Sequence, residues 1–278
     1  MTRILLPTDF SDNAFEAIRY ALLTYKEMEC TFYLLHTYTP PIYHTEYLMG
    51  SPGQIGLGDM LQESSMTQLE KLKSRLEDQY PNPKHEFMVH TAFNTLLAEI
   101  TETVDTENID LIVMGTKGAT GATEILFGTN AVHVIKKSKC PVIVVPPKFE
   151  YEAPKELLFP TDYEVAYEKE RFAPLLAIVN QQKSRVNVMH VGTGYNLNPA
   201  QEKHKAQLEK FLGNRAIFHE VPDNGIIAAI NEFQLKTKVN LLVMVQNKHT
   251  FLERLFLEPV IKKIGFHVTV PFMVIPQL

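Results

Sequence analysis

The stretch MGTKGATGATEILFGTNA, residues 114–131, concentrates glycine directly after the apolar run IDLIVM. Its glycines are Gly115, Gly118, Gly121 and Gly128, out of 13 in the whole chain. Glycine has no Cβ, so its backbone can approach a ligand closely and adopt positive φ. Thr129 and Asn130 are favourable N-cap residues for a helix over AVHVIKK. Because the N–H groups of a helix N-terminus suit phosphate, the stretch predicts either an anion-binding loop or an ordinary strand-to-helix connection.

Two charged residues belong to the same candidate site. Asp9 follows the apolar run RILLPT, and its carboxylate can accept hydrogen bonds from ribose hydroxyls or from an exocyclic amine. The alternative is that Asp9 caps a helix that begins near Asp12. Lys117 can bind a phosphate as a point charge or can be a solvated loop lysine, and the sequence leaves both interpretations open.

The elements that must position these residues follow from the hydrophobic pattern. Short runs rich in Val, Ile and Leu, without polar alternation, predict strands that are buried on both faces. The runs are 3–7, 31–37, 85–90, 110–114 and 141–146, followed by 156–160, 185–191, 215–221, 239–245 and 271–275. Helical spacing between them, as at Leu61, Leu69, Leu72 and Leu76, predicts covering helices. The alternation of strands and helices along the chain predicts a parallel sheet that binds ligands beyond the carboxyl ends of its strands.

The second half of the chain repeats the pattern of the first. RILLPTDF matches ELLFPTDY, TFYLLHTY matches RVNVMHVG, and IDLIVMG matches VNLLVMV. VIKKSKCPVIVVP matches VIKKIGFHVTVPFMVIP, and four matches in the same order indicate a duplication. The predicted fold class is α/β, with two tandem domains that are each a five-stranded parallel sheet with helices on both faces. We place these domains at 1–148 and 154–278. The first copy is longer, mainly within 38–58, which is either a lid or a mobile surface loop.

The motifs ILLPTDFS, LLHTY, DLIVMGTKG and VIKKSKCPVIVVP, together with the glycine spacing, resemble the universal stress protein family, and the whole chain resembles its tandem form. The resemblance implies a sheet order of 3-2-1-4-5 and an ATP, or a similar adenine nucleotide, across strands one and four. It implies that Pro7, Thr8 and Asp9 line the adenosine, Thr37 the base, Met114 and Gly115 the ribose, and Gly118, Gly128, Thr129 and Asn130 the phosphates.

The second copy departs from this signature. Its counterparts of the three signature glycines are Val245, Lys248 and Glu258, and Pro259 replaces Thr129. A carboxylate where a phosphate should bind reverses the local charge. We therefore predict that the second copy does not bind ATP in the manner of the family and serves as a structural partner. The resemblance implies that the two domains pair through their last strands, PVIVVP and PFMVIP, and leaves further association into a homodimer open.

Composition excludes several other classes of function. The net charge of −5, without a run of Lys or Arg, argues against nucleic-acid binding, and no apolar run approaches membrane-spanning length. Cys30 and Cys140 make no disulfide framework, which predicts a cytoplasmic protein. The ten histidines show no metal-ligand spacing, and His36 and His190 are predicted to be buried and hydrogen-bonded. No GxxxxGK[ST] motif is present, which excludes a P-loop site.

The predicted function is that of a cytoplasmic stress-response protein that binds ATP, or ADP or AMP, in its N-terminal domain as a sensor or regulatory module. Any Mg²⁺ would be held mainly by the phosphates. One alternative is a slow ATPase or self-phosphorylating protein, with Thr129 or a nearby hydroxyl as acceptor; another is a scaffold that binds no nucleotide. We expect Asp9 at the adenosine end, too far from the γ-phosphate to activate water there, and the sequence shows no evident general base beside the phosphate loop.

Overall fold

The computed structural model describes residues 1–38, 57–116, 128–192, 196–222, 226–246 and 269–277. Within these ranges the first half contains β1 (Thr2–Pro7), α1 (Asp12–Thr24), β2 (Cys30–Tyr38), α2 (Leu57–Gln79), β3 (His85–Phe93), α3 (Leu96–Thr106), β4 (Leu111–Gly115), α4 (Thr129–Lys137) and β5 (Val142–Val145). The second half contains β6 (Glu156–Thr161), α5 (Lys169–Gln182), β7 (Arg185–Gly192), α6 (Pro199–Leu212), β8 (Ala216–Pro222), α7 (Ile226–Lys236), β9 (Leu241–Gln246) and β10 (Phe272–Pro276). The predicted strands are therefore confirmed.

The strands form one continuous sheet in the order β3-β2-β1-β4-β5-β10-β9-β6-β7-β8. Each half has the predicted order 3-2-1-4-5, and neighbouring strands within a half are parallel. β5 and β10 are antiparallel neighbours, with Ile143 opposite Met273 and Val144 opposite Phe272. The last strands of the two halves thus lie side by side at the centre of the sheet.

Both faces of the sheet are covered, so its strands carry few polar residues. One apolar cluster includes Ile18 of α1 and Leu175 of α5, and the other includes Val134 of α4 and Ile230 of α7. Consecutive residues of β1 alternate between the two clusters, as a strand between two helical layers requires. Each cluster contains residues from both halves, so the halves share their hydrophobic core.

The first copy is longer partly because its second helix is longer. α2 has 23 residues, whereas its counterpart α6 has 14. The predicted leucine stripe faces the core, since Leu69 and Leu76 are fully buried. Most of the insertion predicted at 38–58, and with it the choice between a lid and a surface loop, lies outside the described residues. No helix in the described ranges has the length and apolar character that crossing a membrane requires.

Cys30 and Cys140 are free thiols buried in the core. Burial raises the pKa of Cys30 to about 12 and that of Cys140 to about 11. Both thiols are therefore protonated at neutral pH, and neither is a reactive thiolate.

The strand pair at the centre of the sheet predicts a specific stability loss. Met273 is fully buried opposite Ile143, so Met273→Ala should lower the free energy of unfolding by about 2–5 kcal/mol, measured by urea denaturation. Met88→Ala in β3 is the matched control, because that side chain is 46% exposed and its loss should cost no more than about 0.5 kcal/mol. Equal small effects of the two changes would contradict this packing.

Candidate functional site

A cavity of about 300 Å³ opens at the carboxyl ends of β1, β2 and β4 in the first half. Every predicted site residue that the structure describes lines it: Pro7, Thr8, Asp9, Thr37, Met114, Gly115, Gly128, Thr129 and Asn130. The other two predicted residues, Lys117 and Gly118, lie outside the described residues. The cavity therefore brings together residues that are more than 100 positions apart in the sequence.

A larger, open concavity of about 960 Å³ runs along α2. The described residues that line it all lie on this one helix, between Asp59 and Gln79. We favour the smaller cavity as the functional site, because residues from several strands and helices converge there at the edge where parallel sheets bind their ligands.

The turn after β1 is held by its own side chains. Thr8 Oγ1 accepts a hydrogen bond from the Phe10 N–H at 3.0 Å, and Asp9 Oδ1 accepts one from the Ser11 N–H at 3.1 Å. Phe10 has a positive φ of 62°. The alternative that Asp9 caps α1 is wrong, because the cap is Ser11, whose hydroxyl accepts from the Ala14 N–H. Asp9 itself is exposed at the cavity.

The corresponding turn of the second half has the same geometry. Thr161 accepts from the Tyr163 N–H and Asp162 from the Glu164 N–H, both at 3.0 Å, and Tyr163 has a φ of 56°. The turn is therefore a property of the Pro-Thr-Asp-aromatic sequence, whether or not a ligand binds beside it.

The first turn of α4 forms one wall of the cavity. Gly128 is the N-cap, with extended φ and ψ of −60° and 148°, and its carbonyl accepts the first helical hydrogen bond from Val132 at 3.1 Å. The prediction that Thr129 or Asn130 caps the helix is therefore wrong. Thr129 and Asn130 are instead the first two helical residues of α4. The Gly128 N–H donates to the Thr116 carbonyl, and this bond holds Gly128 in an extended conformation, so the helix begins directly after it.

Within the described ranges, no side chain accepts a hydrogen bond from the first-turn N–H groups of α4. Gly128 offers no side chain, and the described residues supply no other capping group to α4. The N–H groups of Thr129, Asn130 and Ala131 precede the first helical hydrogen bond. These residues line the cavity, and their N–H groups form the positive end of the helix dipole, an arrangement that favours an anion.

Gly115 is required by a protein neighbour. A Cβ built there would lie 2.5 Å from Asn13 Oδ1 and 3.1 Å from the Asn13 carbonyl oxygen. Asn13 in turn donates from Nδ2 to the carbonyl of Val145 at 3.2 Å, which ties α1 to β5. Gly115, predicted from the sequence to lie next to the ligand, thus also makes room for the close packing of α1.

The second half has different side chains at the equivalent edge of the sheet. Val245 occupies the position that Gly115 has in the first half. The first helix also begins later along the chain, since α5 begins at Lys169, seven residues after Asp162, whereas α1 begins at Asp12, three residues after Asp9. The buried Tyr167 hydroxyl lies 2.6 Å from Thr161 Oγ1, the counterpart of the Thr8 hydroxyl at the cavity. Burial raises the pKa of Tyr167, so this phenol stays protonated. The other expected differences, at Lys248, Glu258 and Pro259, lie outside the described residues.

Sequence reasoning missed five lining residues: Ala14, His36, Leu96, Thr116 and Ala131. His36 is half-buried, and its Nδ1 lies 2.8 Å from the Thr8 carbonyl oxygen. This agrees with the predicted hydrogen bond, and His36 is also one of the residues that line the cavity. Thr116 directly follows the predicted Gly115, so its place in the cavity could have been predicted from the sequence. Leu96 follows β3, and no motif at its position pointed to the site.

Leu96 is positioned by a buried carboxylate one turn along α3. Burial of Glu99 favours its neutral form, but hydrogen bonds from His90 Nε2 at 2.6 Å and Asn94 Nδ2 at 2.9 Å outweigh this and lower the pKa of the Glu99 carboxyl. The ionised Glu99 therefore links β3 to the start of α3, beside the cavity.

Comparisons with known proteins agree with this architecture. A sequence model of the Universal stress protein family matches residues 1–146. Universal stress protein MJ0531 of Methanocaldococcus jannaschii is 33% identical over 146 residues, which cover 51% of this chain and 81% of that protein. Universal stress protein MJ0577 of the same organism is 32% identical over 157 residues, covering 51% of this chain and 93% of that protein.

A solved universal stress protein from Archaeoglobus fulgidus DSM 4304 is similar over both halves. The similarity covers 99% of this chain and 98% of that one, with a TM-score of 0.70 and 18% sequence identity. At this identity the likeness concerns the fold alone, and it extends that fold to the second half.

The contact between Gly115 and Asn13 predicts coupled mutations. Gly115→Ala should destabilise the protein by about 1–3 kcal/mol, because Asn13 must move and its bond to Val145 is disturbed. Asn13→Ala removes the nearest obstructing atoms, so the double variant should be more stable than the sum of the single losses implies, by at least about 0.5 kcal/mol. Urea denaturation of the four proteins measures this, and strictly additive losses would contradict the contact.

The Glu99 carboxylate predicts a pH-dependent contribution to stability. Its pKa is lower in the folded state, so the stability it adds is present above its unfolded pKa of about 4.3 and is lost as the pH falls through the folded value. Glu99→Gln should therefore cost about 1–3 kcal/mol at pH 7, and the difference from the native chain should shrink below about pH 4.

Urea denaturation across this pH range tests the Glu99 prediction. Glu102→Gln, on the exposed face of the same helix, is the control. A difference between native and Glu99→Gln proteins that does not change with pH would show that Glu99 is not ionised in the folded state.

Proposed function

Because the chain belongs to the universal stress protein family, we propose that it binds an adenine nucleotide, ATP in particular, in the cavity of its first half. The observation that carries this proposal is the uncapped N-terminus of α4, which opens into the same cavity as the ends of β1, β2 and β4. A cavity in which polar groups from several elements converge is a usual form of small-molecule site. The role that follows is that of a stress-response module whose state depends on nucleotide.

The proposed orientation of the nucleotide follows from charge and strand order. The phosphates bind the N–H groups of Thr129 to Ala131, where the helix dipole favours negative charge, and Lys117 adds a cation to the same loop. Asp9 would repel phosphates, so it faces the ribose or base. β1 lies between β4 and β2 in the sheet, which puts the base beyond β1, next to Thr37.

In this proposal the second half is a structural partner without a nucleotide. Val245 and the Tyr167–Thr161 hydrogen bond support this division, since both differ from the cavity wall of the first half. The two domains, 1–148 and 154–278, pair through β5 and β10 within one chain, and the same protein can associate further into a homodimer. The buried free cysteines suit the cytoplasmic location that we propose.

Binding without efficient turnover is the favoured form of the activity. Asp9 is the one carboxylate among the described lining residues, and in the proposed orientation it faces the ribose or base and not the γ-phosphate. We propose that any Mg²⁺ is held mainly by the phosphates. Steady ADP release that Thr129→Ala abolishes would instead favour the slow ATPase or self-phosphorylating protein.

A charge placed at the α4 cap tests the proposal. Mg-ATP at about 100 times its Kd should stabilise the native chain by roughly 2.7 kcal/mol, seen as a rise in Tm. Gly128→Asp should remove this rise, because the carboxylate both caps the first-turn N–H groups and repels the phosphates. Gly128 has an extended backbone with negative φ, so a side chain there causes no backbone strain.

Gly128→Asn is the matched control for the cap variant. It has the same shape and capping ability without the charge, and its amide can turn an N–H group toward a phosphate. We expect it to reduce the response to Mg-ATP by less than Gly128→Asp does, because the two variants differ only in charge. The absence of a Tm rise in native protein free of carried-over nucleotide, or an undiminished rise in Gly128→Asp, would contradict the proposed site.

A further inference from the structure

We propose that His36 selects the base of the bound nucleotide, by accepting a hydrogen bond at Nε2 from an amino group on that base. The inference rests on the proposed nucleotide site and adds to it the residue that distinguishes a 6-aminopurine from a 6-oxopurine. His36 lies at the end of β2 and lines the cavity.

The tautomer of His36 follows from its partner. Nδ1 lies 2.8 Å from the Thr8 carbonyl oxygen, and a carbonyl can only accept, so Nδ1 carries the proton and donates it. In a neutral imidazole the other nitrogen then has a free lone pair. Nε2 is therefore a hydrogen-bond acceptor.

The ring orientation of His36 is fixed from two sides. The bond to Thr8 holds one edge of the ring, and the Phe10 ring lies 4.6 Å away between centroids, at an angle of 46°. Phe10 in turn is held by the Thr8 hydroxyl. A side chain fixed in this way presents its free nitrogen in one direction, as recognition of a specific group requires.

The position of His36 corresponds to the base end of the site. The sheet order places β2 on one side of β1, and β4 with the following α4 on the other. A nucleotide with its phosphates at Gly128 to Ala131 extends across β1 and ends at His36. The group that meets Nε2 therefore belongs to the base. An amino group satisfies this acceptor, whereas a carbonyl oxygen at the same position places two acceptors against each other.

The second half supplies a natural control residue. His190 occupies the matching position in β7, but its Nδ1 contacts the Glu220 carboxylate at 2.7 Å and its ring lies 5.1 Å from that of Tyr163. It is therefore held by side chains outside the proposed site. Its substitution should leave nucleotide selection unchanged.

Calorimetric titration of the full chain with ATP and with inosine triphosphate, which has a 6-oxo group, tests the inference. We expect the native protein to bind ATP about tenfold more tightly, the difference that one hydrogen bond supplies. His36→Asn keeps an N–H donor near Nδ1 for the Thr8 carbonyl but lacks Nε2, so its affinity for ATP should fall to about that for inosine triphosphate and the preference should be lost. His190→Asn should retain the preference in full.

A measurement on the native chain alone avoids dependence on how the variants fold. Purine riboside triphosphate has neither an amino nor an oxo group at position 6, and we expect it to bind about tenfold more weakly than ATP. Equal affinity for ATP and both analogues, or an unchanged preference in folded His36→Asn, would overturn the role of His36 while leaving the nucleotide site standing. Failure of the native chain to bind any of the three nucleotides would instead overturn the proposed function, and this inference with it.

Discussion

Helix α4 begins at a residue that brings no side chain to the N–H groups of its first turn, and the candidate site depends on this. The helix also has two other connections. Its apolar face, including Val134 and Ile135, packs in the cluster that contains Phe272 of β10. The carbonyl of Lys136, near its other end, accepts a hydrogen bond from Gln246 of β9 at 3.3 Å. One helix thus joins the open end of the cavity to the second half of the molecule.

The two halves have the same fold but differ in the side chains at the carboxyl edge of the sheet. Both retain the strand order and the turn after the first strand, because buried Val, Ile and Leu runs and the Thr-Asp pair specify them. The difference lies in a few side chains. Gly115 leaves room for Asn13, whereas Val245 stands at the equivalent position of the second half, where Tyr167 bonds to Thr161. A few side chains at the edge of the sheet therefore distinguish the two halves.

The sequence predicted the strands well because burial on both faces leaves an unmistakable apolar pattern. It placed the cap of α4 one or two residues late, because Thr and Asn are better caps than Gly by propensity, and only the bond between Gly128 and Thr116 shows where the helix starts. The approach of Asn13 to Gly115 and the arrival of Leu96 at the cavity depend on the distances between elements. Those distances are properties of the packed fold that spacing along the chain does not encode.

The most direct test of the account is the structure of the chain with a non-hydrolysable ATP analogue bound. The account predicts phosphate oxygens about 2.7–3.2 Å from the backbone nitrogens of Thr129 to Ala131, with the base beyond β1 beside Thr37. It also predicts no nucleotide at the equivalent edge of the second half. An analogue seated on the second half or along α2, with the first turn of α4 left unliganded, would contradict it.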